Sequence, residues 1–163
     1  MPAPTAEHRK TELERIICDS VQGAIGLREI LTNEREALER QDTIALHSAA
    51  TEKEVCIRKL ESLEKERAEL SVACGFASGP EDMQSLLAWC NDELPVKDTW
   101  RHFLEVATTC NDLNATNGSI NRLRRSQIQN ALELLRGGNL EPEPYSPEGR
   151  KPAGNTGRAL AHA

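Results

Sequence analysis

A chain of 163 residues has room for one ordinary domain and a tail and calls for no second core. Its hydrophobic content is 38% and its aromatic content 3%, so an interior must be built from Leu, Ile, Val, Ala and Cys, which suits narrow helix-helix seams better than a broad spherical core. With 26 Asp and Glu against 20 Lys and Arg the formal charge is −6, so nothing draws the chain onto phosphate backbones or anionic lipid, and nucleic acid is excluded as an expected partner.

The opening residues, MPAPTAEHRKTELER, hold no apolar stretch of signal-peptide length. No segment approaches the roughly 20 apolar residues that span a bilayer, so a cytoplasmic protein without membrane insertion is expected. From Thr11 to Gly75 there is no proline, and the only internal glycines are Gly23 and Gly26, which predicts a long antiparallel helical hairpin. Alternating steps of four and three select Leu13, Ile17, Ser20, Ala24, Leu27, Leu31, Glu34 and Leu38 on the first arm. On the second arm they select Leu46, Ala49, Lys53, Cys56, Leu60, Leu63, Arg67, Leu70 and Cys74. The reversal is expected near Arg40 to Thr43, with Asp42 as an N-cap or local kink. Each arm of about 30 residues would run roughly 45 Å, and such a hairpin leaves one side of each seam in want of a third helix.

In CGFASGPED, Gly75 is a plausible left-handed cap and Pro80 begins something new. A short helix over about Glu81 to Asn91 would present Met83, Leu86, Leu87 and Cys90 on one face, before NDELPVKD breaks it at Pro95. A third long helix should run from about Asp98 to Arg136, stopped by Gly137 and Gly138. Its first half offers Trp100, Phe103, Leu104, Ala107 and Cys110, and its second half Leu113, Ile120, Ile128, Ala131, Leu132 and Leu135, with a polar stretch between them. Beyond Gly138 the composition turns to Pro, Gly, Glu and small residues without periodicity. The expectation is an all-α fold: an elongated three-helix bundle made of the hairpin, a short helix and a third long helix. The helical domain would span residues 1–138, followed by a disordered tail over 139–163.

Enzymatic chemistry is not expected, because carboxylates alternate with bases along helix surfaces, as Glu61 does with Lys65, instead of converging. Five cysteines without a C-x-x-C or a nearby His pair argue against disulfides and zinc, so no cofactor or metal is implied. Histidine phosphotransfer domains are also helical bundles with a reactive mid-helix His in an H-x-x-K-G pattern. His47 sits in HSAAT, where Ala50 and Thr51 occupy the lysine and glycine positions, so it is assigned to the surface or a seam.

Polar residues within the seams are more informative. Glu34, Lys53 and Arg67 fall at core-facing positions, where a charge costs stability unless its head pairs or reaches water. A turn near residue 41 or 42 brings Lys53 within about one helical turn of Glu34, so a salt bridge that fixes register is expected. On the third helix Asn114, Asn117 and Asn121 follow one side, with Gly118 allowing close approach. Their amides either bond to polar seam residues of the hairpin or line a polar docking groove for a partner helix.

Several segments, taken in order, resemble the FlgN family of flagellar export chaperones over Leu27 to Gly149. They are NEREALERQD, TEKEVCIRKLESLEKERAEL, NATNGSI followed by ALELL, and PYSPEG. The resemblance implies a cytoplasmic type III export chaperone that holds flagellar hook-filament junction proteins and delivers them to the flagellar export gate. It implies client binding through Ile128, Leu132 and Leu135, and export-gate docking through Tyr145, Pro147 and Gly149, with Ser146 and Glu148 as mild departures from the family pattern. A tyrosine on a flexible tail would supply a large contact area at low entropic cost. Either a monomer or a weak dimer fits. The alternative is a non-enzymatic coiled-coil adaptor that dimerises through its heptad stripes.

Overall fold

The computed structural model describes residues 5–79, 82–90 and 95–136. The chain divides into two units, Met1–Arg125 and Ser126–Ala163, whose junction falls inside one helix. Among the described residues there are four helices and no strand: α1 (Ala6–Arg40), α2 (Thr43–Ala73), α3 (Met83–Trp89) and α4 (Val96–Leu135). The all-α expectation of a hairpin, a short helix and a third long helix is what the chain forms. Gly137, Gly138 and the tail over 139–163 lie outside the described residues.

Local chemistry sets the helix limits. Thr5 Oγ1 accepts from the His8 N–H at 3.4 Å, so α1 starts five residues before the expected Thr11. At its other end Gln41 takes the left-handed conformation, φ 59°. This lets the Gln41 N–H reach the Leu38 carbonyl at 3.3 Å and the Asp42 N–H reach the Ala37 carbonyl at 3.0 Å. A glutamine in that conformation costs about 1 kcal/mol relative to glycine. The Asp42 carboxylate then accepts from the Ala45 N–H at 3.0 Å and starts α2, fulfilling the N-cap expectation. Gly75, φ 87°, closes α2 in the same way: its N–H bonds to Val72 O and that of Phe76 to Ser71 O, both at 3.0 Å. That turn carries Phe76 back towards the core.

Inside the first unit, α1 buries Leu13, Ile17, Ala24, Leu31 and Leu38. Gly23 has a specific task in the hairpin, since a Cβ there would lie 2.7 Å from Leu60 Cδ2. The Cys56 thiol donates to the Gly23 carbonyl at 3.3 Å across the same approach. Where α1 begins and α2 ends, α3 closes the hairpin: Met83, Leu86, Leu87 and Cys90 pack with Leu13, Ile17 and Val96, and Phe76, Trp89 and Trp100 border this cluster. Each fully buried leucine contributes about 2 kcal/mol here.

α4 packs on α1 through Val106 and Cys110, which cluster with Ala24 and Leu31, with Phe103 and Leu113 alongside. Val96, Phe103, Val106, Cys110, Leu113 and Asn117 repeat in steps of seven, three and four, a single stripe. Leu104 was expected on this face but is 46% exposed. It stands one residue, about 100°, from Phe103, and Val106 takes the inward position instead. α4 begins at Val96 because the buried valine extends this stripe ahead of the expected Asp98. In the second unit α4 continues to Leu135, and every described residue from Ser126 onward is exposed.

Candidate functional site

Three polar residues from three helices meet between α1, α2 and α4. Lys53 Nζ lies 2.6 Å from Glu34 Oε1, the ion pair expected from the hairpin register. Asn117 Nδ2 donates to Glu34 Oε2 at 2.9 Å and to the Leu31 carbonyl at 2.8 Å. Each Glu34 oxygen is thereby bonded, and Asn117, only 2% exposed, ties α4 to α1. Its Oδ1 is buried without a partner. The Asn117 amide thus does bond to the hairpin, whereas Asn114 and Asn121 are exposed.

Beside this triad the chain encloses an open groove of about 580 Å³. Its hairpin wall carries Glu34, Leu38, Leu46, Ala50 and Lys53, and its α4 wall carries Asn114, Ala115, Asn117, Gly118, Ser119, Asn121 and Arg122. Both readings of the asparagine stretch therefore have a physical counterpart: Asn117 bonds inward and Asn114 and Asn121 line the groove. Where the helices are faced with Ile16, Ile17, Leu60, Trp100 and Phe103, the corresponding space is about 150 Å³.

Arg67 sits elsewhere. Its side chain is buried and pairs with Glu64, Nη2 to Oε1 at 2.6 Å and Nε to Oε2 at 2.8 Å. Nη2 also donates to the Ser78 carbonyl at 3.2 Å, and Nη1 lies 3.9 Å from Met83 Sδ. The Glu64 carboxylate holds the guanidinium pKa above its usual value. Arg67 therefore secures the connection from α2 to α3, a contact invisible to heptad counting because Ser78 and Met83 lie beyond α2.

On the last stretch of α4, Ile128, Leu132 and Leu135 are 62%, 41% and 84% exposed. They are spaced four and three apart, so they share one face. Leu134 and Leu123 are also exposed and were not among the expected contact residues. Leu134 stands about 100° around the helix from Leu135 and so falls off that face. Tyr145, Pro147 and Gly149 fall outside the described residues. His47 is exposed near the start of α2.

Among the described residues no helix is long and apolar enough to cross a membrane. No group of His, Cys, Asp and Glu among them is arranged to hold a metal ion. No curated protein and no solved structure is matched. The family model described as FlgN protein matches residues 9–153, which takes in α2, α3, α4, all of α1 but its first turn, and the PYSPEG element. The chain belongs to the FlgN family, the flagellar export chaperones.

Proposed function

We propose that this export chaperone works in the cytoplasm on flagellar hook-filament junction proteins, keeping them from premature assembly and delivering them to the flagellar export gate. One observation supports the client site most strongly. Ile128, Leu132 and Leu135 set three large apolar side chains in water at spacings of four and three on one helix. A helix that presents an apolar face to water is suited to receive another helix. An amphipathic terminal helix of the client would lay its apolar face along it. Three large side chains of this kind contribute about 2 kcal/mol each when fully covered, enough to block self-association yet weak enough for handover.

Tyr145, Pro147 and Gly149 are assigned to the export gate, with the prolines limiting the conformations to be frozen on docking. No nucleotide hydrolysis is needed in the chaperone, because competition at the gate can release the client. The heptad-paired adaptor is less well supported, since Leu13, Ile17, Leu31 and Leu38 are already buried within one chain. Binding of a junction protein's terminal helix to the native chain and to Leu132→Asp tests the client site. Equal binding by the two would overturn it.

A further inference from the structure

The groove between α2 and α4 is separate from the exposed end of α4, and its chemistry is different. On α4, Gly118 and Ser119 follow Ala115 by three and four residues, and Ala50 faces the same space from α2. Small residues at such spacing normally let two helix backbones approach, as Gly23 does against Leu60. Gly118 is not used in that way. A Cβ built there meets only Arg122 Nη1, at 3.5 Å, and no atom of α2 within 4 Å. The wall suits close packing, and among the described residues no helix packs on it.

The polar groups supply an independent observation. Asn117 lines the groove, is nine-tenths buried, and keeps one amide oxygen without a donor. An amide oxygen left in this state is unfavourable to bury. Glu34 spends both oxygens on Lys53 and Asn117. Against this one carboxylate stand Lys53 and Arg122, so the lining carries one excess positive charge. Arg122 Nη2 donates to Ser119 Oγ at 3.0 Å, and among the described residues no carboxylate pairs with it.

We propose that this groove is a second docking site, whose occupant is a helix of a partner protein with small residues on its contact face and carboxylates beside them. The small residues would rest on Ala115 and Gly118. The carboxylates would take the unused N–H groups of Lys53 and Arg122. A helix fits better than an extended strand because the groove follows two helices and offers side chains, with no free backbone edge to pair.

The test uses the full chain, labelled with nitrogen-15, and two synthetic helical peptides. One is rich in Ala and Ser with Glu along one edge, and the other carries Lys in place of each Glu. The glutamate peptide should give saturable shifts at the Asn117 side-chain amide and the Gly118 backbone amide, and the lysine peptide none. Lys53→Gln should weaken binding about tenfold, and Gly118→Leu should abolish it. Ala115→Leu, on an exposed position, provides a second groove-filling variant should Gly118→Leu lose helicity. Equal response to both peptides, binding that survives groove filling, shifts confined to Ile128, Leu132 and Leu135, or no saturable shift would each overturn the proposal. Concentration-dependent shifts of the chain alone at Gly118 would also overturn it, by making the occupant a second copy.

Discussion

Glu34 on α1 and Asn117 on α4, 83 residues apart in sequence, meet through a hydrogen bond of 2.9 Å, and the other oxygen of the same carboxylate holds Lys53 of α2 at 2.6 Å. One carboxylate thus bonds to side chains of two other helices. Both members of the ion pair are partly buried, so each single substitution should leave the other charge poorly compensated. A double-mutant cycle with Glu34→Ala and Lys53→Ala, followed by urea unfolding, should give a coupling of about 1–2 kcal/mol. Additive effects would reduce the pair to an incidental contact.

Arg67 is 4% exposed and joins Glu64, Ser78 and Met83. Arg67→Ala should cost about 2–4 kcal/mol, from the lost bonds and the void left under the loop. Amide exchange should quicken first across Phe76, Leu86 and Leu87, where α3 closes the hairpin. Uniform acceleration along α1 and α2 instead would show that Arg67 serves the seam and not the loop.

The glycines of α1 should respond in opposite senses. Nothing lies within 4 Å of a Cβ at Gly26, so Gly26→Ala should stabilise by about 1 kcal/mol through helix propensity. At Gly23 the same change places a methyl 2.7 Å from Leu60 Cδ2, and displacement of that side chain should cancel most or all of the gain. Thermal unfolding of the two variants checks the contrast, and equal stabilisation would contradict the close approach of α1 and α2.

How much of this was legible beforehand depended on distance along the chain. The hairpin, its turn and the Glu34 to Lys53 pair follow from period, caps and the position of one reversal, all local properties. The bond from Asn117 to Glu34 was legible only as a choice between a seam and a groove, because nothing in the sequence fixes the rotation of α4 on α1. The same rotation decides that Val106 is buried and Leu104 exposed. The role of Arg67 depended on a loop with no period, and the volume of the groove on three helices at once.

Burial pushes the Cys90 and Cys110 thiols up from their ordinary value of 9.0. In the unfolded chain they ionise near that value, whereas in the folded chain they keep their protons. Their contribution is therefore fully present below about pH 9 and is lost as pH rises through the folded values. Under reducing conditions, stability should fall as the pH rises above about 9, and fall less in Cys90→Ala with Cys110→Ala. An identical fall in that double variant would assign the effect to other groups. Cys90 and Cys110 should also alkylate far more slowly than the exposed Cys18.

Client binding is tested most directly by size-exclusion chromatography with light scattering, on the full chain mixed with the C-terminal helix of a hook-filament junction protein from the same organism. The native chain should form a defined complex that survives removal of residues 139–163. Leu132→Asp should weaken it by about tenfold or more, since a carboxylate would replace a leucine under the client helix, while helicity stays unchanged because Leu132 is already exposed. No complex at micromolar concentrations, or one that Leu132→Asp forms equally well, would contradict the assignment of the α4 face to the client.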